Sequence, residues 1–358
     1  MASAVTVHAL TARVGRQAPA VEVAAAAVVG GDEMIRLTST IHAARKWTAC
    51  AGLGLLLGGV LSCAASTSGA EAAKPAQPSQ RTFASEAAAA DALVAAAEAY
   101  DVPALKEILG PDGVDLIVTD DPVLDKNQAT AWAAKAREKI VVVSDPKHAQ
   151  TATLNVGLDD WPMPIPLVNE AGKWRFDSLA GRQEILYRRI GENELNAIEV
   201  CRGYVEAQEE YASEKHDGAR VHAYAQRIIS TPGRHDGLAW RNADGAWAGP
   251  VGEGIARVIA EGYREKYQPF HGYYFKILKG QGIAAPLGKL DFVVQGAMIG
   301  GFALVAAPAN YEVSGVKTFI VSHAGVVYEK DLGPKTLELF SAMELFDPDK
   351  SWNPVQAP

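Results

Sequence analysis

From Phe83 onward the apolar positions of this chain recur first at helical spacing and then in alternation, so helices are predicted ahead of a sheet. Ser85 can cap a helix through Tyr100, on which Ala92, Leu93, Ala96 and Tyr100 recur at helical intervals. Asp101 and Pro103 open a second, short helix that Gly110 ends. A third runs from Pro122, behind the cap Asp121, to Lys139, with Leu124, Ala131 and Trp132 among its apolar positions. The period then shortens to two over Ile140 to Ser144, Thr151 to Val156, Ile165 to Val168 and Trp174 to Asp177. The last two runs are joined by the turn Asn169-Glu170-Ala171-Gly172. Helices followed by an antiparallel sheet describe a small α+β domain over residues 83–190.

Helical spacing returns at Gly181 and lasts to Lys215, with Leu186, Ile190, Ile198, Cys201, Val205, Gln208 and Tyr211 three or four apart. That is a rod of about 50 Å at 1.5 Å per residue. Gly191 and Gly203 each cost about 1 kcal/mol relative to Ala, so a kink or break is expected near Gly191, and a second domain, residues 191–358, begins there. Shorter helices are expected over Val221 to Ile229 and Ile255 to Tyr263. Strands follow over Tyr273 to Leu278, Phe302 to Ala307, Val316 to Ser322 and Val326 to Leu332, the final pair closed by Ser322-His323-Ala324-Gly325. The expected second unit is a long helix on an antiparallel sheet of about four strands, closed by a helix from Pro334 to Phe346.

Ahead of these domains, residues 34–72 carry a different pattern. Arg36, Arg45 and Lys46 precede an apolar run from Trp47 to Leu61, and small residues follow, which is the layout of a secretory leader. The run is shorter than the roughly eighteen residues a membrane span needs. Two exits stay open: cleavage after Ala70-Glu71-Ala72, or lipidation of Cys63 within Val60-Leu61-Ser62-Cys63. Residues 1–33 hold no assignable element, and Met34 ahead of the basic residues marks an alternative start. Residues 73–82, rich in Ala, Pro, Gln and Ser, are expected to be a tether. A periplasmic or cell-envelope protein, lipid-anchored or released, is the expectation, touching membrane only through its leader or its lipid.

Charge and cysteine content narrow the chemistry. The formal net charge of −8 repels phosphate backbones, so no nucleic-acid partner is expected. Of three cysteines, Cys50 and Cys63 lie in the leader, leaving Cys201 without a partner in the chain. Neither a disulfide framework nor a zinc spacing is present, and no metal or cofactor is expected.

Several short motifs carry a family resemblance. They are Asp159-Asp160-Trp161-Pro162 before Pro164-Ile165-Pro166-Leu167, Trp174-Arg175-Phe176-Asp177, His271-Gly272-Tyr273-Tyr274, Gly300-Gly301-Phe302-Ala303 and Ser314-Gly315-Val316-Lys317-Thr318-Phe319. Through them the stretch from Thr82 to the C-terminus resembles the bacterial family known as domain of unknown function 2950, whose members are exported proteins without an assigned activity. The resemblance implies export and carries no chemistry. The C-terminal half, with Asn193-Glu194 opening a helix that runs to Gln208 and Tyr211 ahead of strands ending in Thr318-Phe319-Ile320-Val321 and Gly325-Val326-Val327-Tyr328, is similar to the head of a type IV pilin or pseudopilin. Its helix departs from that pattern by carrying Glu192, Glu194, Glu199, Arg202, Glu206, Glu209 and Glu210, too acidic for a dry fibre core. In element order the N-terminal half is similar to cone folds of the nuclear-transport-factor kind.

Candidate chemistry is sparse. Five of the eight histidines lie beyond residue 215, and His216 and His235 adjoin Asp217 and Asp236, yet HExxH, the Gly-x-Ser-x-Gly elbow and paired-Cys spacing are all missing. Turn or surface histidines are the plainer reading. Cys201 sits on an apolar helix face, which suits a small buried hydrophobe better than a nucleophile. Asp159 and Asp160 beside Trp161 form an acidic pair that a ligand or cation can meet, although a solvated turn entering an edge strand is the plainer reading. Tyr273 and Tyr274 point to opposite faces of their strand, so only one can be core. The outward one, with His271, Trp240 and Trp247, forms the candidate aromatic recognition patch. Gly300-Gly301 suits a bulge or a close strand crossing. The expected function is a non-enzymatic envelope module with a protein partner. Two alternatives stand beside it: an exported hydrolase using His235, Asp236 and His271, and a small-ligand binder whose pocket is lined by Trp132, Trp161 and Trp174.

Overall fold

The computed structural model describes residues 80–119, 121–252 and 269–356. The chain forms a mixed α+β structure with two buried apolar clusters, one built from residues between Phe83 and Phe176 and the other from residues between Ala197 and Trp352. The leader, Cys63 and the helix expected over Ile255 to Tyr263 lie outside the described residues.

The first unit follows its sequence signals closely. Helix α1 (Glu86–Glu98) starts at Ser85, whose hydroxyl accepts from the Ala88 amide. Helix α2 (Val102–Leu109) starts at Asp101 and stops at Gly110, which holds φ 74°. In α3 (Pro122–Glu138) the Asp121 carboxylate accepts from Val123 and Leu124, with Pro122 at the first position. Five antiparallel strands follow: β1 (Ile140–Ser144), β2 (Thr151–Val156), β3 (Trp161–Pro162), β4 (Leu167–Glu170) and β5 (Lys173–Phe176). The order is β1-β2-β4-β5, with β3 also on β2. The β4–β5 hairpin turns on Ala171 and Gly172, both at positive φ, while the Asn169 carboxamide accepts from Gly172 N–H. Residues 80–82, expected in the tether, are instead tied down: the Gln80 amide donates to Ile108 O at 2.9 Å and Phe176 O at 2.7 Å.

Helix α4 (Ser178–Ala212) starts at Asp177, whose carboxylate accepts from Ala180 N–H, and it runs without interruption through Gly191 and Gly203. The break expected near Gly191 does not occur, because two glycine penalties of about 1 kcal/mol are small against the packing at either end. At the N-terminal end a side chain at Gly181 would collide with Ile165, so helix and loop touch backbone to backbone. At the C-terminal end Ala197, Ile198, Cys201, Tyr204, Ala207 and Tyr211 are buried against the second sheet.

That sheet has five strands rather than about four, in the order β16-β15-β14-β13-β8: β8 (Tyr273–Leu278), β13 (Ala303–Pro308), β14 (Lys317–Ser322), β15 (Val327–Asp331) and β16 (Asn353–Pro354). Three small hairpins precede or interrupt it: β6 (Trp240–Arg241) with β7 (Trp247–Ala248), β9 (Gly280–Gln281) with β10 (Leu290–Asp291), and β11 (Val293–Val294) with β12 (Ala297–Met298).

Two further expectations are corrected here. Residues 221–229 are not helical; Tyr224 bridges Met298, and Ile229 bridges Ala239. The wholly buried Gln208 carboxamide takes both backbone groups of Ala225, donating to its C=O and accepting from its N–H at 2.8 Å each, and so replaces the bonds a helix would supply. The last helix is short: α5 (Thr336–Ala342) follows one 3-10 turn at Gly333–Lys335. The chain then leaves it so that Phe346, fully buried, can exchange backbone bonds with Gly280 and Gly282.

Candidate functional site

Between β9 and β10 the sequence Gly282-Ile283-Ala284-Ala285-Pro286-Leu287-Gly288 forms a loop whose frame is fixed from inside. The Gln281 side chain is buried, and its amide donates to both Pro286 O and Gly288 O at 2.7 Å. Asp347 accepts from Ala284 N–H at 2.7 Å, and Gly288 N–H closes on Ala285 O at 2.9 Å. Gly282 lies so close to Asp347 that a Cβ there would collide with the carboxylate. This braced loop carries large aliphatic side chains outward: Ile283 is 86% exposed and Leu287 91%. Leu287 also holds φ 71°, a left-handed conformation that costs an L-residue about 1–2 kcal/mol. Leu290 and Leu345, both exposed, border the adjoining Gly280.

Such a loop performs no acid, base or nucleophilic chemistry; it can bury aliphatic area. Covering Ile283 and Leu287 would stabilise a complex by about 1.5–3 kcal/mol each before the cost of association. Sequence reasoning passed over this stretch. Its signal was legible nonetheless, as a Gly- and Pro-bounded turn carrying two bulky aliphatics where turns usually carry polar residues.

The structure does not assemble the aromatic patch expected from sequence. Tyr273 is the core member of its pair, fully buried, with its hydroxyl donating to Lys317 O at 2.9 Å, and burial raises its pKa. Tyr274 is half-buried on the other face. His271, exposed at φ 45°, stands edge-on to Phe270 and 3.5 Å from the Asn196 amide. Trp240 and Trp247 belong instead with the far end of α4, where Tyr211 stacks on His216 and His216 meets Trp240. Asn196 and Tyr211 are fifteen residues apart on one helix, about 22 Å at 1.5 Å per residue, so His271 and Trp240 belong to different places. By the same separation His235 and Asp236 share no cleft with His271, and the expected hydrolase constellation is not assembled.

Residues 80–355 match the family model described as protein of unknown function (DUF2950). The chain belongs to this family. No curated protein and no solved structure matches it. The boundaries of the DUF2950 match coincide with structural ties: Gln80 at one end is anchored as described, and Val355 N–H at the other donates to Val327 O at 2.9 Å.

Elsewhere in the DUF2950 chain, the polar candidates are committed to holding the fold. His216 and His222 donate to Tyr211 O and Ala212 O, capping the carbonyl end of α4. His235 pairs with Asp217 at 3.4 Å and not with its neighbour Asp236, whose carboxylate accepts from the Thr231 amide and hydroxyl. Those two bonds, with Arg227 nearby, outweigh desolvation and hold the Asp236 pKa below its usual value. Burial pushes the Tyr211 phenol up to about 12, aided by Asp217 and Asp236. Cys201 is fully buried, and its thiol is likewise pushed up to about 12, so it stays protonated at neutral pH.

Asp159 and Asp160 lie on the exposed β2–β3 turn, where Asp160 takes φ 53° and pairs with Lys139 at 2.7 Å. Arg188 lies 5.5 Å from the centre of the half-buried Trp161 ring. Trp132 and Trp174 are buried in the first apolar cluster, with Trp161 packed against it. Among the described residues, no group of three or more His, Cys, Asp or Glu could hold a metal ion, and no helix is long and apolar enough to cross a membrane.

Proposed function

We propose that this protein is an exported, non-enzymatic interaction module of the bacterial cell envelope, and that it docks a protein partner through the loop of Ile283 and Leu287. The observation that carries the reading is the combination of exposure and bracing: two aliphatic side chains held outward by a buried Gln281 and by Asp347, one of them in a costly backbone conformation. Ordering is already complete, so a partner gains the apolar contact without the entropy of fixing a loop. Export rests on the leader pattern of residues 34–72 and its two exits, and mass spectrometry of the mature N-terminus distinguishes lipidated Cys63 from cleavage after Ala72. The second unit, a long helix laid on an antiparallel sheet, is read as pilin-like in layout, serving as a rigid carrier of the loop.

The docking reading is tested with the double variant Ile283→Ser, Leu287→Ser. Because both side chains are solvent-exposed, unfolding stability should stay within about 0.5 kcal/mol of the parent. Cross-linked envelope complexes that contain the parent should disappear. Complexes of unchanged size and amount would contradict the proposal.

A further inference from the structure

The two edges of the first sheet are finished differently. On the β5 side Trp174 exchanges backbone bonds with Phe83 at 2.8 and 2.9 Å, which closes that edge. On the β1 side no described residue continues the ladder. Lys139 O accepts from Gly157 N–H and Asp145 N–H donates to Thr151 O, each at 2.9 Å, so the odd positions from 139 to 145 face β2. The backbone groups of Ile140, Val142 and Ser144 therefore face outward. The strand reads Ile-Val-Val-Val-Ser, with neither the lysine nor the proline that usually blunts an edge, and Val141 and Val143 are 40% and 44% exposed.

We propose that two copies of this chain join edge to edge through β1, antiparallel about a two-fold axis at Val142. The parity of the strand supports a second copy as the occupant. About that axis Val142 faces Val142 of the other copy, and Ile140 faces Ser144, so every outward-facing N–H and C=O meets another outward-facing group. Val141 then lies across from Val143 at a closely spaced pair, and the exposed valines of both copies form one apolar row. At each end Lys139, which pairs with Asp160 in its own copy, comes level with Asp145, which pairs with His148, so opposite charges stand across from each other only in the antiparallel arrangement. The interface is self-complementary and closes, as a two-fold contact must. It is independent of the Ile283 and Leu287 loop, which lies in the other unit.

The test uses the intact chain as isolated from cells. Light scattering should give twice the chain mass at high micromolar concentration, and Val142→Pro, which removes only an outward N–H, should give a single-chain mass with unchanged circular dichroism. Because Val142→Pro can disturb folding, register is read separately. Under mild oxidation a mixture of Val141→Cys and Val143→Cys variants should form a disulfide-linked dimer, while either variant alone and the parent should not. A monomeric parent, a folded Val142→Pro variant that keeps the doubled mass, or equal cross-linking by Val141→Cys alone would each overturn the pairing.

Discussion

The two sheets of this protein are buried in opposite ways. In the first, β2 alternates between buried and half-buried positions, and β1 leaves two valines in solvent. In the second, every residue of β13 and all but the first of β14 are buried, because α4 covers one face while other chain segments cover the other. Central strands hidden on both faces offer a partner no surface, so contact there falls to the appendages around them. The loop of Ile283 and Leu287 is such an appendage, braced against Phe346 and Asp347 at the rim of the second unit. The first sheet instead exposes part of itself. Each unit therefore presents apolar surface, one through a loop and one through a strand edge.

The comparison breaks most sharply with paired substitutions. Val305→Asp places an unpaired carboxylate in the middle of β13, where no water reaches, and should cost about 4 kcal/mol or more, enough to unfold the second unit. Val143→Asp on the exposed face of β1, measured at a concentration low enough to hold the chain as a monomer, should cost about 1 kcal/mol or less. Urea denaturation followed by tryptophan fluorescence measures both, and equal losses would erase the distinction. Gln208→Leu comes next. It strands the N–H and C=O of Ala225 and removes the donor to the Tyr204 hydroxyl, so a loss of about 3 kcal/mol is expected in the same experiment.

Leu287→Gly runs the other way. Releasing the left-handed conformation of Leu287 should raise stability by about 0.5–1 kcal/mol, part of the relief being offset by the greater freedom of Gly in the unfolded chain. A melting temperature that falls would show that this loop is not strained. Acidification has the smallest expected effect and belongs to the first unit. The Arg182 guanidinium, by hydrogen bonding, holds the Asp115 carboxyl below the usual 3.8 and ties the 3-10 turn at Pro111–Leu116 to α4. A lowered folded pKa means that this contribution is present above about pH 3.8 and is lost as pH falls through the folded value. Hydrogen exchange in residues 111–116 should accelerate there before the β13 amides respond.

Much of the fold was legible because its determinants are local. Ser85, Asp101 and Asp121 each cap the helix that follows, and Asn169 to Gly172 forms its turn from its own side chain and two positive-φ positions. The misreadings share one cause, distant partners. Residues 221–229 have helical spacing, but Gln208 claims Ala225; Phe346 fits the end of a helix, but its burial against Gly280 and Gly282 draws the chain out. The candidate site was less legible for the same reason. Tyr273 and Tyr274 were correctly split between faces, yet nothing local says that Trp240 sits at the far end of α4 from His271, or that His235 pairs with Asp217 rather than Asp236. The loop of Ile283 and Leu287 depends on Gln281 and on Asp347, sixty-three residues beyond Ala284, a contact no spacing rule anticipates.

The most direct test of the docking claim is photo-cross-linking in living cells from a benzophenone side chain placed at position 287, with the same probe at the exposed turn residue Gly233 as the comparison. A discrete adduct with another envelope protein from position 287, absent from position 233 and lost when Ile283→Ser is added, is the predicted result. Identical adduct patterns from the two positions, or none from position 287, would contradict it.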